Sequence, residues 1–283
     1  MRKTLPILIS ILAILFAGCD FVVVDNDPYH NDCSSCWCDN TPPPVPYNVH
    51  SVTGDNSVYI YWNPVSCWDM EGYDVYRGNG PTGYYEYLGS THSASFTDWN
   101  VNNGRTYYYA IASYDYCGNT SELSTDLVYD TPRPEGYSYY LWAAETYPDD
   151  AGYDLSAYSA VAYDYPTCDF YFGHDALGYY LNAANDYTDI MEWGYANSLS
   201  DVDYAPETGW SAYADVEALE GFAYIIWTAD NHFATVLIRE ISGDRLRFDW
   251  AYQTDPGNPE LRMAREKPSR TIGHQIRQEG ELR

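Results

Sequence analysis

Lysine is almost missing from this sequence, and arginine is nearly as scarce over most of its length. Its 283 residues include 14 Lys or Arg against 41 Asp or Glu. Between residues 20 and 238 the only ones are Arg77, Arg105 and Arg133, set against 33 acids. A body this acidic repels phosphate backbones, which excludes nucleic acid as a partner. Long apolar runs are missing too. The longest, Leu5 to Phe16, falls short of the roughly twenty residues a bilayer-crossing helix needs. Helical stripes and heptads are absent. So are a G-x-S-x-G elbow, an H-E-x-x-H pair and a phosphate-cradling glycine loop. Carboxylate pairs such as Asp149-Asp150 or Asp201/Asp203 arise by chance among so many acids. "DNDPYHND" lacks the glycine and closing Glu of a calcium loop. The expectation is a non-catalytic chain with no cofactor and no metal.

What the sequence does have is aromatic surface: 32 Tyr and 9 Trp. Each has an apolar body and a polar tip, which suits half-buried strands, and the predicted fold class is all-β. There is room for two domains. Seven cysteines point to an oxidising compartment if the chain is exported.

Export is written at the start. Arg2 and Lys3 precede the apolar run, and Ala17-Gly18 supply small residues before Cys19, so residues 1–18 read as a signal segment. "FAGC" resembles the bacterial lipobox, with Phe16 where Leu is usual. The resemblance implies acylation of Cys19 and membrane attachment through its lipid. One acyl chain, at roughly 0.8 kcal/mol per buried methylene, binds marginally, whereas several hold firmly. Asp20 resembles the inner-membrane retention signal of enteric bacteria, which leaves the membrane open. The expected place is the bacterial cell envelope, with the outer membrane or cell surface favoured.

Residues 19–41 are a polar tether containing "CSSCWC", with Cys33, Cys36 and Cys38. A structural zinc site wants four ligands brought together as two pairs. No second Cys/His pair follows, although His30 is nearby, so disulfides are the expectation. Cys168 is the natural partner for the odd cysteine, and the connectivity stays open.

From residue 42 to 134, short alternating runs recur between turn signals: "YNVHSV", "SVYIYW", "GYDVYRG", "YYEYLG", "ASFTDW", "RTYYYAIASYD" and "LSTDLVYD". "TGDN", "NGPTG" and "NVNNG" are turns tolerant of positive φ. Trp62 closes the second run, and Tyr107 opens the sixth. With "GYDVYRG" and "YDYCGNTSELS", this ordered set resembles a fibronectin type III domain. The resemblance implies a seven-stranded sandwich, a core Trp62 and a tyrosine corner at Tyr107. It also implies that the loops carrying Cys67 and Cys117 share one end, and hence a Cys67–Cys117 disulfide contributing roughly 4 kcal/mol. Domains of this fold are mostly spacers and binding platforms, and fold alone does not decide between them.

Residues 137–262 form a second β-rich region. "FAYIIWTA", "HFATVLIREI" and "RLRFDWAYQT" predict a three-stranded meander, one face inward and one to solvent. The stretch from "DVDYAPETGW" to "DPGNPEL" resembles HmuY-like lipoproteins, some of which capture haem through axial ligands. His174, His232, Met191 and Met263 are the candidate ligands, but they match no motif. Loop aromatics Trp193, Tyr195, Trp210 and Tyr213 offer surfaces for a sugar or protein. Residues 263–283 continue a basic stretch and read as a disordered tail. The functional expectation is non-catalytic binding of an envelope or extracellular protein or a glycan, with haem capture as the alternative.

Overall fold

The computed structural model describes residues 38–211 and 215–262. Cys19, Cys33, Cys36, Tyr213, Met263 and the basic tail lie outside them. No helix among the described residues is long and apolar enough to cross a membrane. The fold is all-β, as expected.

The first unit carries β1 (His50–Gly54), β2 (Ser57–Tyr61), β3 (Met70–Gly78), β4 (Tyr85–Thr91), β5 (Ser95–Asp98), β6 (Tyr107–Asp115) and β7 (Val128–Asp130). All seven expected runs are strands. They pair antiparallel into a sheet ordered β1-β2-β5 and a second ordered β4-β3-β6-β7. This is the two-sheet arrangement of a fibronectin type III sandwich. Alternation explains the core: Val58 and Ile60 from β2 meet Val75, Tyr109 and Ile111 from the facing sheet. Trp62 is buried edge-to-face on Tyr73, with ring centroids 5.1 Å apart. The tyrosine corner is present, since the Asn102 N–H donates to Tyr107 Oη at 3.0 Å. In the β1–β2 turn, Asn56 takes the left-handed conformation at φ 46°.

The second unit is also a two-sheet stack. One sheet, ordered β13-β15-β16-β17-β8, joins β8 (Glu135–Trp142) to β13 (Asp189–Tyr195) and to the meander β15 (Phe222–Trp227), β16 (Phe233–Ser242) and β17 (Arg245–Tyr252). The other, ordered β10-β9-β11-β12-β14, contains β9 (Gly152–Asp154), β10 (Ser159–Val161), β11 (Phe170–His174), β12 (Tyr179–Ala183) and β14 (Asp215–Glu217). Between them Tyr153, Phe170, Phe172, Leu181, Phe248 and Trp250 form a core dense in rings.

The meander itself is as expected, but its outer face is not solvated. Leu199, Val202 and Ala205 from the loop after β13, with Leu261, cover Phe233, Ile225, Leu237 and Ala251. β16 is therefore buried on both faces along its first six residues. The loop-rich stretch "MEWGYANSLSDVDYAPETGW" supplies both an edge strand and this cover.

The units meet at Arg133, whose side chain is 0% exposed. Its Nε donates to the Leu261 carbonyl and its Nη1 to Glu135. Its own N–H donates to the Gly54 carbonyl at 3.2 Å, tying the linker to the β1–β2 turn. Gly104 closes the joint from the β5–β6 loop. It sits at φ 74°, and a Cβ there would lie 2.5 Å from Thr254 Oγ1. Asp130 and Glu260 are buried at the same place. Loss of hydration raises both carboxyls, with the Arg133 charge opposing the shift.

Candidate functional site

A polar cleft of about 250 Å³ opens at one end of the first sandwich, lined by Arg77, Asn79, Glu86, Asn100, Asn102, Arg105 and Tyr107. The strand register builds it. Arg77, near the end of β3, lies opposite Glu86 on β4 and Tyr109 on β6. Its guanidinium crosses to the facing sheet, where Nη1 donates to Asp98 Oδ2 at 2.8 Å and to the Asn100 carbonyl at 2.7 Å. Asp98 is buried and also accepts from Tyr109 Oη at 3.1 Å. Burial and that carboxylate together push the Tyr109 phenol far up. Arg77 thus closes the sandwich end as a charge-assisted plug.

Arg105 has a different situation. Its Nη2 donates to Asn79 Oδ1 at 2.8 Å, and its Cζ lies 5.2 Å from the Tyr107 ring centroid. Arg77 lies at the same distance from that ring, so two guanidiniums share one aromatic. No carboxylate among the described residues forms an ion pair with Arg105. An unpaired cation with amides and the Glu86 carboxylate around it can donate to and accept from a hydroxylated or anionic ligand. Sequence reading singled out both arginines as rare. It did not foresee that they meet, because the register of β3 with β6 decides that.

The cysteines require a correction. Cys67 is disulfide-bonded, yet Cys38, Cys117 and Cys168 are free thiols. The Cys67–Cys117 bridge is therefore not formed, and the partner of Cys67 lies outside the described residues. Cys117 instead hydrogen-bonds with Cys38, and this neighbour is the main cause raising its thiol to about 11. The reason is the course of the tether. Asn119 Nδ2 donates to the Asp39 carbonyl at 3.1 Å, drawing residues 38–39 against the loop before β7. Cys168 is buried in the second unit, where loss of hydration raises its thiol to about 12, so it is not a partner for Cys38.

Both histidines of the second unit are engaged within the fold. His174 Nε2 lies 2.9 Å from Asp244 Oδ1, and His232 Nδ1 lies 2.9 Å from the Gln253 carbonyl. His232 also packs on Tyr252. Met191 lies on β13. Among the loop aromatics, Trp193 and Tyr195 are exposed, whereas Trp210 is part of the outer core against Trp227 and Phe233. In the first unit, Trp99, next to Asn100 in the chain, is 68% exposed and stands edge-on to Tyr59.

No protein-family model matches the chain. It is 38% identical over 100 residues to an amylopullulanase of Thermoanaerobacterium saccharolyticum, covering 35% of this chain and 8% of that protein. To exoglucanase B of Cellulomonas fimi it is 34% identical over 101 residues, 34% of this chain and 9% of that one. The chain therefore spans less than a tenth of the length of these curated relatives. The matched stretches are non-catalytic, fibronectin-type parts of larger enzymes. Among solved structures, a Fn3-like protein from Clostridium thermocellum is 22% identical, with 33% of this chain and 98% of that chain covered and a TM-score of 0.27. The structure of FN3tt is 17% identical, covering 30% and 95%, with a TM-score of 0.25.

Proposed function

We propose that this chain is a non-catalytic glycan-binding protein of the bacterial cell envelope, held by lipid at Cys19. The first sandwich presents the binding cleft, and the second unit is joined to it at Arg133. The observation that carries this reading is the unpaired guanidinium of Arg105, framed by Asn79, Asn102 and Glu86 in a chain otherwise dominated by acids. Sugars bring many hydroxyls, which amides and carboxylates satisfy in pairs, while a guanidinium favours those that also carry a carboxylate. Trp99 offers an exposed ring beside the cleft-lining Asn100 for a sugar face. Relatives that are named amylopullulanase and exoglucanase support a carbohydrate setting.

The test is retention of the full chain on immobilised polysaccharides, neutral and uronic-acid-containing, compared with Arg105→Ala. The expected result is retention on at least one of these polysaccharides that the substitution abolishes while the unfolding temperature holds. Retention that Arg105→Ala leaves intact, or none on any polysaccharide, would refute the reading.

A further inference from the structure

At the end of the first sandwich that the tether reaches, three carboxylates converge from distant parts of the chain. Asp39 comes from the tether, Asp69 from the turn into β3, and Asp115 from the last residue of β6. Their ligand oxygens all lie within 4.8 Å of one another. Asp69 is 3% exposed and Asp115 1%. Proximity of acids alone means little in a chain with 41 of them. Here a second observation bears on it. Asp69 Oδ1 lies 3.0 Å from Cys67 Sγ, but its Oδ2 is buried and has no hydrogen-bond partner among the described residues. A buried carboxylate oxygen without a donor costs free energy unless a cation or a proton offsets its charge.

Among the described residues, no side chain supplies that cation. Between residues 38 and 132 the only arginines are Arg77 and Arg105, both committed to the cleft, and there is no lysine. The other two carboxylates are held in place by their surroundings. Asp115 Oδ1 accepts the backbone N–H groups of Cys117 and Asn119 at 2.9 and 2.8 Å, and its Oδ2 accepts Asn119 Nδ2 at 2.9 Å. Asp39 Oδ1 accepts the Thr41 N–H at 2.8 Å. Asp115 Oδ1 is filled by its two N–H donors, whereas Asp115 Oδ2 and Asp39 Oδ1 each keep a lone pair after those bonds.

From this arrangement we infer that Asp39, Asp69 and Asp115 bind a calcium ion that clamps the tether to the first sandwich. The donor chemistry selects the ion. Three carboxylates are hard oxygen ligands, and the thiols of Cys38 and Cys117 are not in the set, which disfavours zinc. Calcium–oxygen distances of about 2.3–2.6 Å place two ligand oxygens of one ion no more than about 5 Å apart, matching the cluster. Asp39 is only half-buried, which leaves a side open for water to complete the coordination and for the ion to enter. One divalent ion also offsets most of the clustered negative charge. It does so by joining residue 39 to residues 69 and 115, and so fixes where the tether leaves the domain.

The experiment uses the full chain in detergent, stripped with EDTA and then titrated with calcium chloride or terbium chloride. Calcium should raise the unfolding temperature. Terbium should give emission sensitised through Trp68 and Tyr116, the chain neighbours of Asp69 and Asp115, and calcium should displace it. Asp69→Asn should weaken binding at least about tenfold and remove both signals. In EDTA the same variant should be no less stable than the parent, because the amide carries no uncompensated charge. If Asp69→Asn folds poorly, Asp39→Asn, outside every strand, must give the same loss. An unfolding temperature that calcium leaves unchanged overturns the inference. So does terbium emission that survives both substitutions, which would mark diffuse binding to an acidic surface.

Discussion

Replacing Asp169 by Asn should make the protein more stable at alkaline pH and leave it unchanged in acid. Asp169 stands immediately before β11. Its N–H donates to the Tyr153 carbonyl at 2.9 Å, and its own carbonyl accepts from Ala184 at 3.1 Å, so its backbone is fixed between neighbouring strands. The side chain has one protein donor, the Leu155 N–H, 2.8 Å from Oδ2. Burial pushes the carboxyl up from 3.8 to about 7, with the charges of Asp230 and Asp154 adding to the shift and the Leu155 N–H opposing it. Between those two values the folded chain holds a proton that the unfolded chain has released. Stability therefore falls as pH rises through this window and stays low above it. A shift of about three units, at about 1.36 kcal/mol each, sets a ceiling near 4 kcal/mol. Partial solvent access lowers the expected effect to about 1–3 kcal/mol. Asparagine keeps an oxygen for Leu155 and never ionises. Urea unfolding from pH 4 to 8.5 should show the variant's advantage growing across the window. An Asp169→Asn protein less stable than the parent at pH 8, or a difference indifferent to pH, would refute the reasoning.

Three other outcomes follow from the geometry. Arg133→Leu leaves Asp130, Glu135 and Glu260 without their cation at the joint, and should cost about 3–5 kcal/mol in denaturant unfolding; a loss under about 1 kcal/mol would show that the acids are neutral there already. Tyr107→Phe removes the acceptor of the Asn102 N–H and should cost about 1–3 kcal/mol, read as a lower urea midpoint with an unchanged slope. Mild oxidation followed by non-reducing peptide mapping should recover a Cys38–Cys117 cross-link, while Cys168 resists alkylation until the chain unfolds. Alkylation of Cys168 in the native state at the rate of Cys38 would contradict its burial.

The first sandwich was legible because its information is local. Turn residues, period-two alternation and the paired landmarks Trp62 and Tyr107 each announce themselves within a few positions, and all seven strands lie where those signals put them. The second unit was legible only at its meander. The strands β8 to β10 are short or crowded with tyrosine on both faces, so no alternation marks them. The burial of both faces of β16 depends on a loop that arrives from about 30 residues away. Cysteine pairing failed for the same reason. Cys67 and Cys117 lie on either side of the Asp69–Tyr116 backbone contact, but Cys38 of the tether reaches Cys117 as well, and a choice among close sulfurs is not encoded in spacing. The three aspartates near the tether are separated by 30 and 46 positions, and only the fold assembles them.

Scarcity of positive charge turns out to be the most instructive feature of the sequence, because it makes position informative. Each of the three arginines between residues 20 and 238 has a different electrostatic setting. Arg133 is wholly buried among acids and joins the two units. Arg77 is bound to a buried carboxylate and seals a sandwich end. Arg105 reaches the same end, where it bonds a neutral amide and stacks on a ring but forms no ion pair among the described residues. Substituting each by alanine should therefore separate the roles. Arg133→Ala should loosen the joint without touching the cleft. Arg77→Ala should lower the stability of the first sandwich and spoil the cleft together, since Asp98 is left buried and unpaired. Arg105→Ala should leave stability within about 0.5 kcal/mol of the parent, as an exposed substitution does, and remove ligand binding alone. If Arg105→Ala destabilises the fold as much as Arg77→Ala, the unpaired guanidinium is a structural brace, and the cleft loses its claim to be a binding site.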